Sequence, residues 1–242
     1  SNVAYSLSAQ TLDELTNFNW FNFGLSSEAK SDKNYWGYMT DTLNSKQRSM
    51  VELAVYSGVQ LYNNGYIRQR KLETGNIWGQ RPLGIVPNQP LYKVIKQSPK
   101  KRGYPLPLSK GDFDFEKMVC PQDYNEAFER EENWLEARDW IEKQITSIRG
   151  LFPNADVLFI LPSEFYGEAY DLNYDQVYFD MVNSYINDRF HGQIHVYAQP
   201  QYPDKSLTCD ARHHGNFNGR QWRTKNLSDH INASFFSLKL AS

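Results

Sequence analysis

One run of residues, Ala155-Asp156-Val157-Leu158-Phe159-Ile160-Leu161, constrains the fold of this chain more than any other. A strand with one face in water alternates apolar and polar side chains. A nearly continuous apolar run fits a strand of a parallel sheet, covered on both faces. Its flanks agree. Residues 123–149 place Phe128, Leu135, Ile141, Ile145 and Ile148 on or near one helical face and are closed by Gly150 and Pro153. Residues 173–190 repeat the pattern with Val177, Tyr178, Met181, Val182, Tyr185 and Ile186, and residues 193–198 read as the next strand.

The N-terminal part continues the alternation. Residues 8–15 predict a helix with Ser8 as N-cap ahead of Asp13 and Glu14. Residues 18–23 alternate aromatic and polar side chains as a strand does, residues 31–44 read as a helix, and residues 51–56 as a buried strand. Strands alternating with helices predict an α/β fold, a doubly wound and mostly parallel sheet formed by 18–23, 51–56, 155–161 and 193–198. Such sheets place their sites at the carboxyl ends of the strands. Residues 63–121 break the rhythm. Their glycines and prolines, from Gly75 through Pro82, Pro87, Pro99 and Pro107 to Gly111, exclude long regular elements and predict an irregular insertion or lid within one domain spanning 1–242.

Chemistry concentrates in Cys209-Asp210-Ala211-Arg212-His213-His214-Gly215-Asn216-Phe217-Asn218-Gly219, just before the closing helix. An Asp three or four residues ahead of a His can accept the Nδ1 proton and leave Nε2 free to deprotonate a hydroxyl nucleophile. The bland reading is a polar turn whose Asp and Asn satisfy backbone N–H groups.

This segment resembles the last conserved block of the SGNH (GDSL-like) hydrolase and acyltransferase superfamily, in which Asp-x-x-His precedes the final helix. Counting from Asp210 selects His213 as the general base, and counting back from Asn216 and Gly219 selects His214, so both stay open. The first residues, Ser1-Asn2-Val3-Ala4-Tyr5-Ser6-Leu7-Ser8, are similar to the stretch after Gly-x in the family's first block, which makes Ser1 the implied nucleophile with Ser6 in reserve. The apolar strand that precedes the nucleophile in the family is not part of these 242 residues. Phe21-Asn22-Phe23-Gly24-Leu25-Ser26 is similar to the second block, whose glycine N–H serves the oxyanion hole. The third block, Gly-x-Asn, has no clear counterpart; Asn63 or Asn64 is the implied side-chain donor, and both also suit an ordinary turn before Gly65. The resemblance implies a flavodoxin-like three-layer fold and a serine esterase or O-acyltransferase. The eroded third block favours the branches that act on cell-surface polysaccharides. The alternative is a carbohydrate-binding or assembly module that keeps the fold without a working nucleophile.

Composition narrows the partners. A formal net charge of −2 gives no electrostatic footprint for nucleic acid. Only Lys96–Arg102 is locally basic, and a solvated loop explains it. Aromatic residues make up 15% of the chain and many fall in loops, where they suit the apolar faces of sugars, although packing explains most of them. A carbohydrate or acyl-ester substrate is therefore expected. No phosphate-binding loop, dinucleotide fingerprint or four-ligand metal spacing is present, so no cofactor is expected. Cys120 and Cys209 form either one disulfide, tying the insertion to the Asp210 loop in an oxidising compartment, or two buried thiols. No apolar run approaches the ~18 residues of a membrane span. An extracytoplasmic setting is expected.

Overall fold

The computed structural model describes residues 7–20, 22, 43–57, 112, 120, 134–161, 163, 165, 172–190, 192, 194–209 and 214–239. Among them the protein is α/β. Three strands, β1 (Leu53–Ser57), β2 (Asp156–Leu161) and β3 (Ile194–Ala198), form a sheet in the order β1-β2-β3. All pairs are parallel, with Val55 opposite Leu158 and Phe159 opposite Val196. The expected strands 51–56, 155–161 and 193–198 are therefore present in one parallel sheet, each shifted by one or two residues at an end.

β2 is the middle strand, and its side chains alternate between two cores as a pleated strand requires. Val157, Phe159 and Leu161 face Ile141, Ile145 and Ile148 of α3 (Trp134–Leu151), and Val182 and Ile186 of α4 (Leu172–Arg189). Leu158 and Ile160 face the other way, onto Leu12 of α1 (Ala9–Leu15) and Leu227 and Ile231 of α5 (Phe217–Lys239). Helices thus cover both faces. Burying each of these Ile, Leu or Phe side chains is worth about 1.5–3 kcal/mol, which explains why β2 is apolar from Val157 to Leu161.

Local sequence accounts for the helix ends. The Ser8 hydroxyl accepts the Thr11 N–H at 3.1 Å and caps α1 as predicted. Asn44, expected to end a helix, instead caps the short α2 (Ser45–Ser49) in a reciprocal box with Gln47. Most of the expected helix 31–44 lies outside the described residues, as does 121–133 at the start of the helix expected over 123–149. α3 also runs through Gly150 to Leu151, where the sequence pattern stops at 149. A Cβ at Gly150 would meet nothing within 4 Å, so that glycine marks no break. The break that needs a glycine is Gly192, at φ 69° between α4 and β3.

The expected strand over 18–23 is not a strand at Phe18, Asn19, Trp20 or Asn22, and positions 21 and 23 lie outside the described residues. The cause is local. The Trp20 backbone N–H, which a ladder would use, donates to the Asp13 carboxylate at 2.6 Å, and its indole N–H donates to the Thr16 hydroxyl at 2.7 Å. Phe18 and Trp20 meet edge to face at 5.6 Å. The aromatic alternation therefore serves packing under the end of α1.

Candidate active site

The direction of α5 locates the carboxyl edge of the sheet relative to the chemistry. Gln199, one residue past β3, donates through Nε2 to the carbonyl of Arg223 at 3.3 Å and accepts from the Arg223 Nε. Two residues earlier, the Tyr197 hydroxyl meets the Asn226 carbonyl at 3.4 Å, and its ring stacks on His230 at 3.8 Å. Moving back along β3 moves forward along α5, so the helix runs antiparallel to the strand. Its N-terminus lies beyond the carboxyl ends of the strands.

The segment between β3 and α5 is closed by its own backbone. Thr208 and Gly215 form an antiparallel bridge, and the Cys209 N–H donates to the His214 carbonyl at 2.7 Å. Asp210 and His213 fall within this closed loop and lie outside the described residues. His214, half-buried, is its last member. The loop is pinned below by Asn216, the residue before α5. Its amide Oδ1 accepts the Gly219 N–H at 3.1 Å, and its Nδ2 donates to the carbonyls of Ser206 and Thr208. Gly219 sits against the 3-10 turn Lys205–Leu207, where any Cβ would overlap the Leu207 carbonyl oxygen. A Cβ on Gly215 would lie 2.7 Å from the Tyr202 hydroxyl. Cys209 is covalently joined to Cys120. Of the two states open in the sequence, the disulfide is the one formed, and it ties the stretch 63–121 to the loop that carries Asp210.

α1 begins at the same edge. The Ser8 N–H donates to the Thr224 hydroxyl at 3.0 Å, and farther along both helices the Asn232 side chain donates to the Leu15 carbonyl at 2.9 Å, so α1 and α5 run side by side in the same direction. α1 therefore starts beside the third turn of α5, at the level of the carboxyl end of β3. Ser1, Ser6, Gly24, Asn63 and Asn64 lie outside the described residues.

A buried polar layer underlies this edge. The face of α5 that meets the protein interior follows helical spacing through Arg220, Arg223, Thr224, Leu227, Ser228 and Ile231, all buried. Its first half is polar and its second mostly apolar. At the polar end Arg220 reaches Asp112 at 3.2 Å. Burial pushes the Arg220 guanidinium below its ordinary value, and the Asp112 charge works against that shift. Asp112, also buried, accepts from Ser8 Oγ at 3.0 Å, the Ala9 N–H at 2.8 Å, the Gln10 N–H at 3.0 Å and Asn22 Nδ2 at 3.2 Å. Sequence reasoning did not single out Asp112 or Arg220. An acid in a breaker-rich stretch has no period to betray it, and an arginine on the inward face of a helix reads as a surface residue. Beyond the end of β2, Ser163 is fully buried and its hydroxyl has no hydrogen-bond partner.

Among the described residues no group of His, Cys, Asp and Glu is placed to hold a metal ion, and no helix is long and apolar enough to cross a membrane. No protein-family model matches the chain, and no curated protein does. Solved structures similar to it include a family two carbohydrate esterase from Clostridium thermocellum in complex with cellohexaose, at 19% identity and TM-score 0.36, covering 52% of this chain and 40% of that one. An active site mutant of a family two carbohydrate esterase from the same organism aligns at 17% identity and TM-score 0.36, covering 53% and 41%. An acetyl xylan esterase from the rumen bacterium Butyrivibrio proteoclasticus aligns at 14% and 0.33, covering 52% and 40%. The aligned region spans about two fifths of those chains.

Proposed function

We propose that this protein is an SGNH-like serine esterase or O-acyltransferase acting on ester groups of a carbohydrate. The observation that carries the reading is that α1 begins beside Thr224 of α5, next to Arg223, which meets Gln199 just past the carboxyl end of β3, while α5 itself begins farther out beyond that edge. The implied nucleophile segment and the implied acid-base loop immediately precede these two helices, and that edge is where α/β sheets hold their sites.

In the proposed reaction the Ser1 hydroxyl attacks the acyl carbonyl while His213 or His214 takes its proton, with Asp210 orienting the imidazole. The Gly24 N–H, helped by an amide of Asn63 or Asn64, holds the oxyanion. The intermediate collapses to an acyl-serine as the base returns the proton to the departing sugar oxygen. Water then regenerates the serine in an esterase, and a sugar hydroxyl does so in a transferase. The Cys120–Cys209 bond supports an extracytoplasmic, oxidising setting.

The test uses p-nitrophenyl acetate as substrate. Ser1→Ala abolishes turnover while Ser6→Ala retains it. Of His213→Ala and His214→Ala, one loses roughly 10²–10⁴-fold, the usual contribution of a general base. Unchanged rates in both histidine variants remove these residues from the mechanism. No turnover in the unsubstituted protein, with oligosaccharide binding intact, establishes the binding-module alternative instead.

A further inference from the structure

Asp112 is where three separate segments meet. Its Oδ2 accepts from Ser8 Oγ and the Gln10 N–H, and its Oδ1 from the Ala9 N–H, so one carboxylate closes the N-terminus of α1. The same Oδ1 accepts Asn22 Nδ2, which also donates to the Leu7 carbonyl at 3.2 Å. Oδ2 also faces the guanidinium of Arg220, one turn into α5, and the backbone N–H of Arg220 donates to the Asn216 carbonyl at 2.8 Å.

Each partner is close in sequence to a different part of the proposed site. Ser8 begins the helix that follows Ser1 and Ser6, Asn22 is two residues before Gly24, and Arg220 follows the loop of Asp210, His213 and His214. None of the partners belongs to the proposed chemistry. Asp112 itself is 1% exposed, too enclosed to meet substrate. Yet it is the shared acceptor of groups from the nucleophile, oxyanion and acid-base segments, which no backbone ladder joins among the described residues. A charged carboxylate suits this role because charge-assisted hydrogen bonds are short and directional, and because leaving any of these buried donors unmet is costly.

We propose that Asp112 is a positioning residue that sets the relative register of the three segments on which the proposed site is built. This rests on the esterase reading for its catalytic consequence but not for its structural one. Asp112→Asn keeps the shape of the side chain. It turns one acceptor oxygen into a donor facing donors and leaves Arg220 without its charge partner at this position.

The experiment compares the full protein with Asp112→Asn, Asn22→Ala and Val182→Ala. Val182 is buried in the opposite core, against α3 and β2, and serves as the control for general destabilisation. Asn22→Ala removes a single partner of the carboxylate and covers the case in which Asp112→Asn does not fold. Hydrogen exchange is followed at a temperature where the variants compared are folded. In Asp112→Asn, amides in 7–15 and 216–224 lose about tenfold or more protection while those in 134–161 and 172–198 keep theirs. In Asn22→Ala the loss is confined to the 7–15 side, and in Val182→Ala it falls on 134–161 and 172–198. On p-nitrophenyl acetate kcat of Asp112→Asn falls about 10–100-fold with KM changed less than about twofold, because a small misplacement of reacting groups acts on the chemical step. Val182→Ala keeps its kcat.

Protection lost evenly along the chain, or unchanged at 7–15 in both Asp112→Asn and Asn22→Ala, overturns the proposal. So does a folded Asp112→Asn with wild-type kcat. If the unsubstituted protein has no turnover, the esterase reading fails and the exchange pattern alone decides the role of Asp112.

Discussion

Replacing Cys120 and Cys209 together by alanine opens a ring whose size fixes the expected cost. The two residues are separated by 89 positions, and the ring contains α3, β2, α4 and β3. In the chain-entropy treatment a loop of that length removes about 15 cal/mol/K from the unfolded ensemble, so losing the bond costs about 4.6 kcal/mol at 25 °C. Unfolding entropy near 2.1 cal/mol/K per residue amounts to about 0.5 kcal/mol/K for the 242 residues, which turns that cost into a fall in Tm of about 9 °C. Urea unfolding followed by far-UV circular dichroism supplies a second signature. A denatured chain freed of its crosslink exposes more surface, so the m-value rises as the midpoint falls. A loss under about 1 kcal/mol refutes the ring-closure argument. A full loss at constant m shows that the bond acts through native contacts around Cys209, where its N–H holds the His214 carbonyl, and not through the unfolded state.

The parts of the fold legible in the sequence are those set by one dominant force with a period. β2 is apolar at five of its six positions, and both its faces are buried against helices whose own stripes repeat at three and four residues, so pattern and burial agree. Phe18 to Trp20 shows where pattern misleads. Alternating aromatics fit a strand, but the nearby Asp13 and Thr16 offered their donors local partners, and side-chain hydrogen bonds displaced the ladder. The candidate site was legible through its resemblance to a family and hardly at all through physics. Asn216 and Gly219, which help to carry that resemblance, do local work here: one caps α5 and pins the preceding turn, the other admits the Leu207 carbonyl. Asp112 and Arg220 carry no periodic signal because a buried ion pair is specified by three-dimensional proximity, here between residues far apart in the sequence.

Three further perturbations probe local contacts. Gly219→Ala forces its Cβ into the Leu207 carbonyl, and separating α5 from the 3-10 turn costs about 1–3 kcal/mol by thermal unfolding; a Tm equal to the wild type shows that the contact relaxes freely. Asn216→Asp keeps the acceptor for the Gly219 N–H but loses the Nδ2 donor to Ser206 and Thr208, whereas Asn216→Ala loses both. The alanine variant should therefore be the less stable, by about 0.5–2 kcal/mol for the cap, and the reverse order removes the capping role. The last perturbation is pH, acting on His230, which lies flat on Tyr197. Burial, then the nearby His195, lowers its pKa, so the native protein prefers the neutral ring. In the unfolded chain a histidine takes up its proton near pH 6.5. The unfolded state then binds more protons in the window just below that value, and the contribution of this residue to stability is present above it and is lost as pH falls through the folded pKa. His230→Phe preserves a flat ring against Tyr197 and has no proton to bind. Its urea midpoint should therefore decline less steeply than that of the wild type as pH is lowered from the neutral range into the acid side of that window, and identical slopes would assign the decline to other groups.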